Sequence, residues 1–366
     1  MKLPKNKKII FIHLLNDFSG SAKVLSEVVE VCESHQIDND LYINYTGDGF
    51  LYNKTKNQYF FHYKRYENKF STLISYVLSQ LILFIKMFKY LRSDCIFYIN
   101  TMMPFGPALA AKIMGKKVIY HVHETSIQKN LKYFLRFVIR ITASRVLYVS
   151  KHLSKTEFFK SIDSNIIYNS LSKSFETEAG KYKYQHNKSP FIVLMICSLK
   201  DYKGIKELLE IAKFCKKNDL IIFNLILNAN ADEIDNYFED KEVPENIKIF
   251  SKQYDLITFY KDSGLVLNLS RIDEWVETFG LTILEAMKFG IPVIVPPVGG
   301  PKELVRNGID GFQISSYQTK EIANKIIDLS VNPLLCQEIS KNCIKQSAKF
   351  SFSNFEKNII EIISSS

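Results

Sequence analysis

The sequence predicts an α/β protein made of two doubly wound parallel sheets that face each other across a cleft. Three observations predict it. At 366 residues the chain is long for one domain, at about 150 residues each. Its short strand-like runs are apolar throughout rather than alternating, as in parallel sheets covered on both faces. The runs also fall into two series separated by a polar stretch. An apolar content of 46% and a charged content of 23% are those of an ordinary globular chain.

The first series reads as strands at Lys8–Leu14, Asp40–Asn44, Cys95–Asn100, Lys117–His123, Arg145–Ser150 and Ile166–Tyr168. The apolar run from Phe70 to Phe84 is interrupted by Ser71, Ser75, Ser79 and Gln80 and closed by Lys86 and Lys89. It falls short of the roughly 20 apolar residues of a spanning helix, so a buried helix is expected there. The polar residues 178–190, ending in Pro190, read as a linker. The second series follows at Phe191–Cys197, Ile221–Leu227, Ile247–Phe250, Gly264–Leu269, Pro292–Val295 and Gly311–Ile314, with helices such as Lys203–Lys216 and Leu281–Phe289 between them. The expected domains are 1–180, a linker over 181–190, 191–350, and a C-terminal helix over 351–366 that packs back on the first domain. Ligands of doubly wound sheets bind outside the carboxyl ends of the strands, so the cleft between the domains is the expected site.

The basic N-terminus runs straight into a strand with no apolar core and small-residue cleavage site, so no secretory signal is expected. Six scattered cysteines without a CxxC pair suit reduced thiols in the cytosol. Charge is uneven. Residues 1–180 hold 25 Lys and Arg against 14 Asp and Glu, and residues 181–366 hold 23 against 24. Residues 51–150 alone carry 16 against 3, a face that attracts anions.

The chemistry concentrates in Glu277-Thr278-Phe279-Gly280-Leu281 and Glu285, closed by Gly290 and Pro292. Thr278 suits an N-cap, Gly290 a C-terminal turn, and Pro292 bars continuation. The amides of Phe279, Gly280 and Leu281 would then open an anion site at the helix start. Glu277 and Glu285 are eight residues apart, about 12 Å along a helix, too far to share a proton or a metal. They suit hydroxyls at the two ends of an extended ligand with an anionic middle, as in a nucleotide sugar.

Glu277 and Glu285 with seven residues between them, followed by Ala286-Met287 and Gly290-Ile291-Pro292, resemble the signature of family 4 retaining glycosyltransferases of the GT-B fold, whose two domains are Rossmann-like. The resemblance covers nearly the whole chain. It implies that Glu277 contacts donor-sugar hydroxyls and Glu285 the ribose. Val298-Gly299-Gly300-Pro301 resembles the family's glycine turn, and Lys203-Gly204 its diphosphate lysine. Where the family usually has an arginine before that lysine, this chain has Ser198; Lys200 supplies the charge, or Ser198 donates a hydrogen bond instead. Gly20-Ser21 resembles the family's glycine pair near the diphosphate, with Ser19 in place of the first glycine. His123, in His121-Val122-His123-Glu124, aligns with the histidine beside the reacting sugar. His121 and His123 share a strand face, but no third ligand of suitable spacing follows, so no metal and no cofactor are expected.

The resemblance implies transfer from a nucleotide sugar, UDP- or GDP-linked, with the leaving diphosphate taking the acceptor's proton and no protein base. Lys203, His123 and Glu277 are the expected catalytic residues. Lys129, Lys132, Arg136 and Arg140, at steps of three and four, lie on one helical face, which suits an anionic membrane. The expected acceptor is therefore a lipid-linked glycan of bacterial surface polysaccharide synthesis, met by a cytoplasmic enzyme peripheral to the inner face of the membrane. The alternatives are a GT-B epimerase or phosphorylase, and a non-catalytic nucleotide-sugar-binding subunit. Nucleic-acid binding is not expected, since no recognised module is present.

Overall fold

A computed structural model describes residues 7–45, 49–125, 127–186, 189–216 and 220–366. The chain divides into two compact units, one of residues 1–170 with 353–366, the other of residues 171–352.

Unit 1 runs β1 (Lys8–Ile12), α1 (Gly20–Ser34), β2 (Asn39–Asn44), β3 (Gln58–Phe61), α2 (Lys69–Met87), β4 (Cys95–Asn100), α3 (Phe105–Ile113), β5 (Lys117–Val122), α4 (Lys129–Thr142), β6 (Arg145–Tyr148), α5 (Lys151–Thr156) and β7 (Asp163–Ile166). Its seven strands are all parallel, in the order β3-β2-β1-β4-β5-β6-β7. The order reverses between β1 and β4. That crevice is where a doubly wound sheet offers its strand ends to a ligand. β1 and β4 are buried almost throughout, which is why they read as nearly continuous apolar runs; β2 is buried as well, with Asn39, Asp40 and Asn44 at its ends. β3 escaped the sequence reading: it is a four-residue edge strand with Tyr59 and Phe60 exposed. The last strand lies at 163–166, three residues ahead of its expected start, because Arg145 pairs with Asp163 in register and in a salt bridge.

Unit 2 runs α6 (Lys173–Gly180), β8 (Phe191–Cys197), α7 (Ile205–Cys215), β9 (Ile221–Leu227), α8 (Ala231–Phe238), β10 (Ile247–Phe250), α9 (Ile257–Asp262), β11 (Leu265–Leu267), α10 (Leu281–Lys288), β12 (Val293–Val295), α11 (Pro301–Leu304), β13 (Phe312–Gln313), α12 (Thr319–Val331) and α13 (Pro333–Ser347). Its six strands are parallel in the order β10-β9-β8-β11-β12-β13, with the reversal between β8 and β11. The unit begins ahead of the expected linker because α6 belongs to it. Phe175 stacks edge-on against Tyr260 and Phe289, and Glu176 pairs with Lys288 at 2.6 Å. Residues 187 and 188 of that linker lie outside the described residues.

The final helix, α14 (Phe352–Ser365), returns to unit 1 from Ser353 onward. Phe355, Ile359, Ile362 and Ile363 are buried, His35 Nε2 lies 2.9 Å from Glu356 Oε1, and Arg145 donates to Ser365 at 2.8 Å.

The expectation of a buried helix over Phe70–Phe84 is corrected. α2 buries Tyr76, Ser79, Gln80, Leu83 and Met87, while its apolar stripe from Phe70 to Ile85 faces outward. The serines and glutamine mark the inner face, where Gln80 Oε1 accepts the Gly106 amide at 3.1 Å. The basic face of α4 is corrected in part. Lys132 and Arg136 both clamp Glu157, which is fully buried, since a buried carboxylate needs counter-charge. Lys129 and Arg140 remain exposed.

Candidate functional site

In unit 1 the strand ends at the crevice carry polar residues on otherwise apolar strands. α1 starts at Gly20 with Ser19 as its N-cap residue, and the Ser19 amide donates to Asp17 Oδ1 at 3.0 Å. Asn100, the last residue of β4, is fully buried. Its Nδ2 donates to the Ser21 carbonyl at 3.0 Å and lies 3.1 Å from His13 Nδ1, while its Oδ1 lies 2.9 Å from His123 Nε2. A carbonyl only accepts, so the Ser21 contact settles which end of the amide is nitrogen. The Asn100 oxygen therefore faces His123, whose Nε2 must carry the proton. Nδ1 is left as the accepting nitrogen.

His123 stacks against His121 with ring centres 4.2 Å apart, and His121 Nδ1 meets the Tyr98 hydroxyl at 2.8 Å. Burial pushes His13 down to about 4 and His121 down to about 3. It also holds His123 well below the ordinary histidine value, helped by the two neighbouring imidazoles. All three rings are neutral near pH 7, so His123 can accept or donate a hydrogen bond but brings no cation. Glu124 takes the Met102 amide at 2.7 Å and the His123 amide at 3.1 Å, and burial pushes it up to about 7. The sequence reading missed Asn100, which ties Gly20-Ser21 to His123.

In unit 2 the switch point lies where β8 and β11 end. Ser198 follows β8 directly. Lys200, exposed, opens a turn over Asp201–Lys203 that leads into α7. Gly204 sits at φ +83°, and a Cβ there would lie 2.2 Å from the Leu269 carbonyl oxygen. Only glycine lets this turn lie so close to the end of β11. Lys203 is thereby fixed, with its Nζ 2.8 Å from Glu277 Oε2. Burial works against the ammonium, but the charge and hydrogen bond of Glu277 outweigh it and hold Lys203 above the ordinary lysine value. Tyr202 and Trp275 stack with centres 4.8 Å apart, and Lys203 lies 5.9 and 5.6 Å from their rings.

Glu277 is held by its backbone. The Gly300 amide donates to its carbonyl at 2.9 Å. A Cβ on Gly299 would lie 2.3 Å from that same oxygen, and one on Gly300 2.4 Å from Phe279 Cα. The glycine turn is thus a clamp on residues 277–279. The helix after it starts at Leu281, where the run Leu281–Phe289 was expected to begin, but not behind the expected cap. Thr278 is no N-cap; α10 begins at Leu281, with Gly280 at φ +101° and ψ 69° as its cap. That backbone is left-handed, a geometry glycine adopts without strain and threonine does not. The amides of Ile283 and Leu284 turn back to the Gly280 carbonyl, so Leu281 and Thr282 own the leading amides, in place of the expected Phe279 to Leu281. Phe279 itself is buried, edge-on to Phe350. Glu285 is buried as well, accepting from the Tyr260 hydroxyl at 2.6 Å.

The structure therefore brings Lys203 to Glu277 in one unit and Ser21 to His123 in the other. Ser198 and Lys200 stand on the same β8 turn as Lys203. The stacked Tyr202 and Trp275 were not read from the sequence, although Trp275 is the one tryptophan of the chain. Among the described residues no group of three or more His, Cys, Asp or Glu side chains is placed to hold a metal.

A family model described as glycosyl transferases group 1 matches residues 176–349. Sucrose synthase of Melioribacter roseus is 35% identical over 91 residues, covering 24% of this chain and 12% of that protein. The chain thus spans far less than two thirds of the length of the curated relatives it matches. The crystal structure of Anabaena Alr3699/HepE, which holds UDP and glucose, superposes with a TM-score of 0.79 at 20% identity, over 98% of this chain and 100% of that one. Sucrose-phosphate synthase of Thermosynechococcus elongatus does so with a TM-score of 0.76 at 15% identity, over 97% and 98%. The match to the glycosyl transferases group 1 model thus lies within the second unit, and the two parallel sheets carry the GT-B fold.

Proposed function

We propose that the chain is a retaining transferase of family 4 that moves a sugar from a nucleotide sugar, UDP- or GDP-linked, to a hydroxyl of a glycan acceptor. The observation that carries this reading is the Lys203–Glu277 pair, 2.8 Å apart beside the start of α10. It sets a cation for a diphosphate next to a carboxylate for sugar hydroxyls. The UDP and glucose held by the Anabaena protein support a uridine nucleotide. In this reading Glu285, oriented by Tyr260, receives the ribose diol, and Ser198 or Lys200 takes the place of the family's arginine. Gly20, Ser21 and His123 serve from unit 1, the acceptor-binding unit.

The acceptor oxygen bonds to the anomeric carbon as the bond from that carbon to the diphosphate oxygen breaks. The departing oxygen takes the acceptor's proton, so no side chain acts as base. Charge grows on the diphosphate, and Lys203 and the leading amides of α10 stabilise it. With those groups in place the reading needs no divalent metal. The acceptor is a lipid-linked glycan of bacterial surface polysaccharide synthesis, such as capsule, O-antigen or lipopolysaccharide. The enzyme then works from the cytoplasm at the inner face of the membrane.

Thermal shift with UDP-, GDP-, ADP- and dTDP-sugars, with and without EDTA, tests the donor half. At 100 times the dissociation constant the expected stabilisation is about 2.7 kcal/mol. One nucleotide class should shift the protein, with no effect of EDTA, and Glu285→Ala should abolish the shift. No shift with any donor would sink the proposal. A shift without turnover on any acceptor would leave a nucleotide-sugar-binding subunit.

A further inference from the structure

α2 is built inside out. Its inner face carries Tyr76, Ser79 and Gln80 beside Leu83 and Met87. The Tyr76 hydroxyl donates to the Met103 carbonyl at 2.5 Å, and Ser79 donates to the Tyr76 carbonyl at 2.6 Å. Its outer face does the opposite. At alternating steps of three and one from Phe70 to Ile85, every residue is a large apolar side chain between 40% and 69% exposed. The stripe runs about 22 Å along the helix. Scattered exposed apolar residues are ordinary, but a contiguous row of this length marks a surface that something covers.

The row continues beyond one helix. α3 packs against both α2 and α4, and Phe105 of α3 meets Phe134 of α4 edge-on at 5.0 Å. α4 exposes Tyr133, Phe134, Phe137 and Ile141, and α3 ends on exposed Ile113. None of the three helices contains an acidic residue. Exposed cations stand at their ends: Lys69 and Lys86 on α2, Lys112 on α3, and Lys129 and Arg140 on α4.

We propose that this face of unit 1 is a docking surface for an anionic lipid bilayer, with the α2 stripe entering the headgroup–acyl boundary and the helix-end cations meeting lipid phosphates. The charge pattern selects the occupant. An anionic bilayer supplies an apolar interior and a negative rim together, which is the complement of this face. A second copy of the chain docked face to face would set cation against cation. A helix spanning the membrane would have to give up the buried bonds of Tyr76 and Gln80. The inference rests on the preceding reading for its purpose, since a lipid-linked acceptor lies at such a surface, but its evidence is separate.

Flotation of the full chain with vesicles tests it, using phosphatidylcholine alone and an equal mixture with phosphatidylglycerol. The protein should float with the mixed vesicles and release as salt rises. The double substitution Leu78→Glu with Ile82→Glu, both at exposed positions, should weaken binding by at least about tenfold. The pair Lys86→Glu with Lys112→Glu should remove the preference for the anionic mixture. Both variants should keep the thermal shift with nucleotide sugar, which shows that they fold. Protein that stays at the bottom of the gradient with both vesicles overturns the proposal. So does a dimer in light scattering that Leu78→Glu with Ile82→Glu dissolves, because the face would then belong to a second copy. Flotation without any nucleotide-sugar shift sinks the transferase reading and supports this one; a shift without flotation does the reverse.

Discussion

Removing Lys203 and removing Glu277 should fail in different ways. Lys203→Met takes away the cation proposed for the leaving diphosphate and should lower kcat/KM by roughly 10²- to 10³-fold, the loss typical of one transition-state donor. It should weaken free nucleoside diphosphate as well. Glu277→Gln keeps the shape but loses the carboxylate proposed for the sugar, so nucleoside diphosphate should still bind while transfer falls. Equal losses of UDP or GDP binding in both variants, measured by thermal shift, would argue against these roles. A second expectation concerns pH. Below about 6.5 an unfolded histidine charges, whereas His13, His121 and His123 have lowered values in the fold. Their stability is present above that pH and is lost as pH falls. Glu124 is raised to about 7 and works the other way, favouring the folded state as pH falls from 7. Three protons against one leave a net uptake on unfolding, so stability should drop on acidification, by on the order of a few kcal/mol per pH unit at its steepest. Urea unfolding at pH 5, 6 and 7 reads this, and a flat or rising profile would refute it. Lys203 and Glu277 could be read from the sequence because each stands in a spaced motif. Asn100 could not, because an asparagine ending an apolar strand has no spacing of its own until the Ser21 carbonyl and His123 are seen on either side of it.

Glycine decides where the elements of unit 2 can go. Gly204→Ala should cost on the order of 2–4 kcal/mol, since the new methyl meets the Leu269 carbonyl from a left-handed backbone. Gly300→Ala should cost activity beyond its cost in stability, because the atoms it displaces belong to the backbone of Thr278 and Phe279 beside Glu277. Denaturant unfolding with donor kinetics on the same preparations separates the two effects; unchanged kcat/KM in a folded Gly300→Ala would show that the clamp is not needed. Fully buried strands were plain in the sequence, since they are apolar on both faces. Elements that break that pattern were not: β3 lies at an edge with two aromatics exposed, and α2 turns its apolar side outward. The run Leu281–Phe289 gives the start of α10, but side-chain capping preference points to Thr278 as its cap, whereas the backbone angle at Gly280 sets it. α4 shows the same limit, since its basic spacing was visible but the buried Glu157 that claims Lys132 and Arg136 was not.

At the scale of the whole molecule, the two series of strands announced two sheets, and the excess of charge in residues 51–150 pointed to the unit that carries the exposed face of α2 and α4. The position of the boundary was less legible. The polar stretch before Pro190 looks like a joint, yet α6 ahead of it is fastened to unit 2 through Phe175 and Glu176. Deleting residues 353–366 should destabilise unit 1 and spare unit 2, because the deleted segment buries Phe355, Ile359 and Ile363 in the unit with residues 1–170. Calorimetry should then show one transition moving down, and an equal shift of the whole profile would contradict it. The same segment has a consequence for synthesis. A chain leaves the ribosome in order, at about 5–20 residues per second, and a unit made from residues 1–170 and 353–366 lacks part of its core until the second of these segments emerges. Unit 2, contiguous from Leu171 to Phe352, can close first. The unit whose first segment is translated earliest is then completed only after unit 2, and until residues 353–366 emerge its core lacks Phe355, Ile359 and Ile363.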